Sequence, residues 1–308
     1  MRDLIIIGGS AAGVTAAIYA ARRNLDFIMV TGDVGGEVAT SGEIENYPGY
    51  KHTDGFELSQ KLQEQLGYYS VSIEQPVKVT AIEPIEKGFR VNGKHVSRDM
   101  SWDAKTVIVA TGIHPKPLPV PQEQALRGNG ITYCTTCDGP LYRGKIVATI
   151  GGGNSALESA LMLAELCPKV YLINKNPIFK GDDTLVQKVT DHSNIDVRYQ
   201  AMVTTVLGET QVAGLEYRDA SGATVRLDDV RGVFVHIGNI PNSDLVPATV
   251  TKDAFGNIVV DTECRTNIPG LYAAGDVTNV PFKQIVIAAG QGAIAALSVV
   301  SYLNGLKD

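Results

Sequence analysis

Cys134-Thr135-Thr136-Cys137-Asp138-Gly139 carries the clearest chemistry in this 308-residue chain. Two cysteines separated by two residues close a small disulfide ring or open to a dithiol. Such a pair exchanges with other disulfides when one sulfur is a thiolate of lowered pKa. Asp138 follows at once and sets a proton donor or acceptor beside the sulfurs. A dithiol needs an electron source. Glycine-rich segments stand on both sides of the cysteines, at residues 4–23 and 145–166. Each has the pattern of a strand, a tight turn and a helix, so the layout is two dinucleotide sites with a redox disulfide between them.

The elements that must position these groups follow from the apolar pattern. Leu4-Ile5-Ile6-Ile7 is a continuous apolar run, as a buried parallel strand requires. Gly8-Gly9-Ser10-Ala11-Ala12-Gly13 makes the turn, Val14 to Arg23 reads as an alanine-rich helix, and Phe27-Ile28-Met29-Val30 as the next strand. That unit places a pyrophosphate at a helix N-terminus, where free N–H groups and the helix dipole favour negative charge. Ser10 replaces the middle glycine of the fingerprint and is small enough for close backbone approach. The second strand ends in Thr31-Gly32-Asp33, so an acidic ribose ligand is displaced or absent.

The pattern repeats at Ile146-Val147-Ala148-Thr149-Ile150, followed by Gly151-Gly152-Gly153-Asn154-Ser155-Ala156. Gly151, Gly153 and Ala156 satisfy Gly-x-Gly-x-x-Ala. A helix to Leu166 and the strand Val170-Tyr171-Leu172-Ile173 follow. After that strand an acid would hold a ribose 2′-hydroxyl and arginines a 2′-phosphate. Asn174-Lys175-Asn176-Pro177-Ile178-Phe179-Lys180 offers neither. Lys175 and Lys180 are point charges for a 2′-phosphate, or ordinary lysines of a solvated loop.

Between these units residues 54–67 read as a helix with Leu58, Leu62 and Leu66 on one face. Residues 71–109 alternate as strands, with Gly88 and Asn92-Gly93 as turn signals. Pro115, Pro117, Pro119 and Pro121 end regular structure and mark a crossing between domains. Pro241-Asn242 marks a second. His236 lies in the strand-like run Val233–Gly238 and reads as a core or cleft histidine. Leu271-Tyr272-Ala273-Ala274-Gly275-Asp276 is a strand ending in Gly-Asp, and Ile285 to Tyr302 a helix of small residues.

Bulk properties narrow the class. The composition is 44% hydrophobic and 19% charged, with a net charge of −6, which is that of a globular protein of about two domains. The acidic balance argues against nucleic acid or an anionic membrane surface as partner. No run of about 20 apolar residues suggests a membrane span. Met1 to Ile7 enters a strand with no signal-peptide layout. Cys167 and Cys264 stand alone and read as small buried apolar residues. A cytosolic redox protein without a metal cluster is therefore expected.

With these pieces placed, essentially residues 1–305 resemble the low-molecular-weight thioredoxin reductases, in order and spacing. The carriers are Cys134-Thr135-Thr136-Cys137-Asp138-Gly139, Glu45-Asn46-Tyr47-Pro48-Gly49, Gly151-Gly152-Gly153-Asn154-Ser155-Ala156, Ala110-Thr111-Gly112 and Ala274-Gly275-Asp276. The resemblance implies an α/β fold of two three-layer, Rossmann-like domains, the second inserted in the first. Residues 1–115 and 243–308 would bind FAD, and residues 116–242 would bind a nicotinamide nucleotide and carry the redox disulfide. Contacts to FAD would come from Gly8, Ser10, Ala11, Ala12, Gly13, Gly36, Glu37, Asn46, Pro48, Ala110, Thr111, Gly112, Gly275, Asp276, Lys283, Gln284 and Ile285. The candidate nucleotide contacts are Gly151, Gly153, Asn154, Ser155, Ala156, Lys175 and Lys180. Cys137 would face the flavin, Cys134 would attack the partner disulfide, and Asp138 would handle the thiol proton. Homodimers and hinges at residues 113–121 and near 241 are further implications.

One departure is large. NADPH-dependent members carry His-Arg-Arg and a further arginine where this chain has Asn174-Lys175-Asn176 and Lys180. Reduction of thioredoxin, or a similar small dithiol protein, from an atypical donor such as ferredoxin is the leading expectation. Ordinary NADPH-dependent thioredoxin reduction is the second, and a flavoprotein without a donor, acting as redox sensor or interaction module, the third; beside FAD, the nicotinamide cofactor is left between NADPH and NADH.

Overall fold

In the computed structural model, residues 1–39, 41 and 43–306 are described, apart from the side chains of Glu43 and Cys137. The chain divides into two compact units, Met1–His114 with Ile240–Asp308, and Pro115–Asn239. The strands Ile113–Pro115 and Asn239–Pro241, where the chain leaves and rejoins the first unit, pair as a two-stranded sheet.

The first unit is built on a seven-stranded sheet. Its opening strand Arg2–Gly9 lies between Phe27–Val34 and Arg98–Val109, parallel to both, with Ile7 level with Val30 and Val109. The short strand Leu271–Ala273 extends the parallel part beyond Arg98–Val109. Burial on both faces explains the unbroken apolar run. Leu4 and Ile6 pack with Val14, Ala17 and Ala295, and Ile5 and Ile7 with Ile82, Phe89 and Ile258 on the other face. Side chains alternate across a strand, so a run covered on both sides has no polar positions.

The second unit has a five-stranded parallel sheet in the order Ile131–Thr132, Val230–His236, Ile146–Gly151, Val170–Ile173, Ile195–Arg198. The helix Asn154–Leu166 covers one face through Ala156, Leu157, Ala160 and Leu163. On the other face Ala148, Ile150 and Val233 pack with Val203, Val206 and Leu215 of a three-stranded antiparallel sheet. The α/β reading with parallel sheets is borne out in both units.

Two local expectations are corrected. Asn92-Gly93 is not a turn. Both residues lie inside the strand Gly88–His95, opposite Ser101 and Met100, and the chain reverses at Val96, which takes a positive φ of 54°. Gly93 is needed for space, because a Cβ there would come within 2.8 Å of Val77 Cγ1. The helix Ile285–Gly305 is also long and apolar enough to cross a membrane by length and composition. Its inner face belongs to the core against the helix Ala11–Arg22, where a Cβ on Gly292 would meet Ala12 O at 2.1 Å. Its outer face leaves Val286, Ile294 and Leu297 exposed.

Candidate active site

Two helices start on glycine-rich turns, and neither has a side-chain cap. Ser10 precedes Ala11–Arg22 and Gly153 precedes Asn154–Leu166. Neither N-cap residue makes a side-chain cap, and neither first turn contains an acid. The helix Gly55–Tyr68 differs, since Asp54 accepts from the Glu57 N–H at 2.7 Å. First-turn N–H groups left without acceptors, together with the helix dipole, suit a phosphate.

In the first unit the expected residues gather around the start of Ala11–Arg22. A Cβ on Gly8 would meet Ala110 O at 2.2 Å, on Gly9 Asp33 O at 2.3 Å, and on Gly13 Gly8 O at 1.9 Å. These approaches keep turn, helix and neighbouring strand tight enough for backbone to reach a pyrophosphate. Gly36, on the short turn Gly36–Val38 with Glu37, lies against Ser10, and Gly275 lies against Ala12. Asp33 is in the strand Phe27–Val34 and its Oδ1 accepts from the Gly36 N–H at 2.9 Å, so its carboxylate organises this loop.

Thr111 donates to Asn242 O at 2.7 Å and accepts at its own carbonyl from Asn242 Nδ2 at 2.8 Å. That tie holds the Ala110-Thr111-Gly112 turn, whose Gly112 takes a φ of +65°. Asn46 Nδ2 donates to Gln284 Oε1 at 3.1 Å, which brings two expected contacts together; Pro48 lies exposed beside them in sequence. Burial raises the Asp276 carboxyl and lowers the Lys283 amine, each partly offset by the charge of the other. Lys283 Nζ donates to Asp276 O at 2.9 Å and Thr278 O at 2.6 Å, just before Ile285 opens the last helix. Sequence reasoning missed Gln291. Its Oε1 accepts from the Gly275 N–H at 2.8 Å and fixes the Gly-Asp turn from 16 residues away.

In the second unit the cysteine motif forms the four-residue helix Thr135–Asp138. Cys134 is half-buried. The Cys137 side chain lies outside the described residues, and the expected pairing with Cys134 lies there with it. The Tyr133 hydroxyl donates to Glu123 Oε1 at 2.7 Å and accepts from the Leu118 N–H at 2.9 Å. Arg127 closes this clamp, donating to Glu123 and lying 4.8 Å over the Tyr133 ring. Burial, then the bond to Glu123, pushes the Tyr133 phenol up to about 12.

On the other side of the motif, Thr135 Oγ1 meets Ser159 Oγ at 2.6 Å and His236 Nε2 at 3.0 Å. Burial drives the His236 imidazole down to about 4, so it is neutral at neutral pH. Gly139 lies against Leu163 and Leu166. The redox helix therefore rests on the same helix, Asn154–Leu166, that opens the second glycine turn. Sequence reasoning placed His236 in a core or cleft but did not find the Ser159–Thr135–His236 chain.

The second turn is organised differently from the first. Asn174 is buried. Its Nδ2 donates to Ile178 O at 2.9 Å and its Oδ1 accepts from the Asn176 N–H at 3.1 Å, so its side chain shapes the loop. Lys180 donates from its backbone to Gly152 O at 2.7 Å, and Asn154 is bound on both sides to Asp182. The loop is thus held beside Asn154, Ser155 and Ala156. Lys175 and Lys180 are exposed and make no ion pair among the described residues. Cys167 and Cys264 are free and buried, and burial pushes both thiols up to about 11.

Residues 2–292 match the family described as pyridine nucleotide-disulphide oxidoreductase. The chain belongs to this family. It is 41% identical over 305 residues to the F subunit of alkyl hydroperoxide reductase from Pseudomonas putida, covering 98% of this chain but 58% of that protein. It superposes on a crystal structure of thioredoxin reductase from Lactococcus lactis (FR conformation) with a TM-score of 0.87 and 30% identity, covering 99% of this chain and 100% of that one. For thioredoxin reductase from T. acidophilum the TM-score is 0.86, the identity 36% and the coverage 99% of both chains.

The protein is thus a flavoprotein oxidoreductase of this class with the thioredoxin reductase fold. Its cofactor is FAD. The residues of the first unit fit it: an uncapped helix start, three glycines boxed against backbone, and a half-buried Asp276 carboxyl that accepts no hydrogen bond among the described residues.

Proposed function

We propose that the protein reduces the disulfide of thioredoxin or a similar small dithiol protein through Cys134 and Cys137. The observation that carries this reading is the redox helix Thr135–Asp138, seated on the helix whose uncapped start forms the second glycine turn. Bound FAD supplies a two-electron carrier that keeps the cysteine pair reduced. The Cys134 thiolate attacks one sulfur of the partner disulfide, and the second partner sulfur leaves as a thiolate. Cys137 then attacks Cys134 Sγ, releasing the first partner sulfur. The Cys134–Cys137 disulfide forms as the partner's disulfide opens, and the dithiol's two protons pass to the partner thiols. Asp138 is the group placed to carry them.

The second turn bears on the donor. The uncapped start of Asn154–Leu166 supports a pyrophosphate there, but Asn174 is committed to its loop and no arginine replaces it. Selective NADPH binding is disfavoured, which leaves NADH or a reduced protein such as ferredoxin as donor. A second reading takes the acceptor to be the disulfide of a peroxide-reducing partner. The 41% identity to the F subunit of alkyl hydroperoxide reductase favours it, although the chain spans 58% of that protein.

An anaerobic titration of the flavin absorbance with NADPH, NADH and photoreduced ferredoxin, each alone, identifies the donor. Bleaching by NADH or ferredoxin ahead of NADPH is expected, and preferential bleaching by micromolar NADPH would overturn the donor assignment. Cys134→Ser should abolish thioredoxin reduction with every donor. Full turnover in that variant would overturn the roles of the cysteines.

A further inference from the structure

Thr132 ends the strand Ile131–Thr132 and is buried. Its hydroxyl makes a hydrogen bond to Asp138 Oδ2. The same Oγ1 accepts from the Cys134 N–H at 3.2 Å, and the Asp138 N–H donates to Cys134 O at 3.2 Å. These three bonds close a ring around the start of the redox helix. A threonine hydroxyl has one proton. The Cys134 N–H must be accepted at oxygen, so that proton is left for the carboxylate. The alternative acceptor, Cys134 O, lies 3.5 Å from Oγ1 and competes poorly.

We propose that Thr132 is a positioning residue for dithiol exchange. Its hydroxyl fixes the orientation of the Asp138 carboxylate at the start of the redox helix, so that the carboxylate is held ready for the thiol proton as the pair exchanges. This rests on the assignment of Asp138 as proton carrier. The Tyr142 phenol feels this carboxylate: burial, then the Asp138 charge, raises it. Asp138 forms no ion pair with Lys or Arg among the described residues. The hydroxyl is therefore the side-chain donor that holds the carboxylate among the described residues.

The test needs neither the donor nor thioredoxin. The intact holoprotein is reduced with dithiothreitol, freed of it, and mixed with a chromogenic aromatic disulfide from about pH 5 to about pH 9. One dithiol and one aromatic disulfide give the Cys134–Cys137 disulfide and two coloured aromatic thiolates. Cys167 and Cys264 are buried with raised thiols and do not compete. Thr132→Val should lower the exchange rate on the acid limb of the profile by about tenfold or more, the loss that removing a hydrogen bond to a charged group produces. Thr132→Ser, which restores the hydroxyl, should return the rate to its wild-type value. In an Asp138→Asn background Thr132→Val should lower it no further.

An unchanged acid-limb rate in Thr132→Val, in protein whose melting curve shows it folded, would overturn the proposal. A loss of equal size in the Asp138→Asn background would also overturn it, by showing that Thr132 acts elsewhere. If wild type and Asp138→Asn have the same profile, Asp138 itself is misassigned and the proposal falls with it. Thr132→Ala serves as the deletion variant should valine not fold.

Discussion

Gly8, Gly9 and Gly13 in the first glycine turn are all boxed in by backbone oxygens, whereas in the second a Cβ on Gly151 would meet His236 O at 2.2 Å, one on Gly152 would meet the Asn174 side chain at 2.6 Å, and one on Gly153 would have nothing within 4 Å. The surroundings differ in the same sense. Around the first turn burial shifts the ionisation of both Asp276 and Lys283, each partly offset by the other's charge, and Gln291 and Asn242 fix the neighbouring turns. Around the second turn the lysines are exposed and unpaired among the described residues, and the buried polar side chain of Asn174 faces its own loop. An enclosed, fully tied cradle suits a group that stays through many turnovers. An open cradle suits one that must leave after each.

This contrast can be broken most directly at the glycines. Gly13→Ala places a Cβ 1.9 Å from a backbone oxygen with nowhere to move. It should cost about 3 kcal/mol or more, beyond ordinary overpacking, and yield protein without flavin. Gly153→Ala should cost no more than about 1 kcal/mol and retain flavin. Bound flavin per chain and thermal melting read both. A flavin-replete, stable Gly13→Ala protein would erase the distinction.

His236 gives the second unit a pH dependence of its own. Its folded pKa is lowered from 6.5 to about 4. The unfolded chain therefore binds a proton that the folded one does not, and stability falls as pH drops from about 6.5 to about 4. The loss should approach about 3 kcal/mol at the lower end, and His236→Gln should flatten that part of the melting profile.

Asn174→Ala removes two buried hydrogen bonds. A cost of about 1–3 kcal/mol is expected. If the side chain shapes the loop rather than reading a ribose, the Michaelis constants for NADH and NADPH should rise together. A rise for one alone would make Asn174 a specificity residue. The smallest effects should come from Lys175→Ala and Lys180→Ala. Each removes an exposed charge worth less than about 1 kcal/mol, so the Michaelis constant for NADPH should rise less than about fivefold, with that for NADH unchanged.

The glycine turns were legible in the sequence because an apolar run followed by closely spaced glycines has few other physical solutions. The cysteine motif was legible from residue type and spacing. Asn92-Gly93 was not. A strand that runs on and a strand that reverses share the same alternation, and this glycine answers to Val77 rather than to a turn. Gln291 and the Ser159–Thr135–His236 chain were hidden for another reason. Their partners lie 16, 24 and 101 residues away. Nothing local distinguishes a glutamine that holds a distant turn from one that faces water. Thr132 shows the limit at short range, since its hydroxyl reaches Asp138 six residues on only because the chain coils between them.

The second unit is continuous in the chain, while the first is interrupted by it and resumes at Ile240. That order has a consequence during synthesis. As residues leave the ribosome, Pro115–Asn239 has all its strands while the first sheet still lacks Leu271–Ala273. The first unit also still lacks the helix Ile285–Gly305, whose Gly292 seats against Ala12. The interrupted unit therefore finishes folding after the one inserted in it, with the strand Arg2–Gly9 and the helix Ala11–Arg22 waiting on residues nearly three hundred positions downstream.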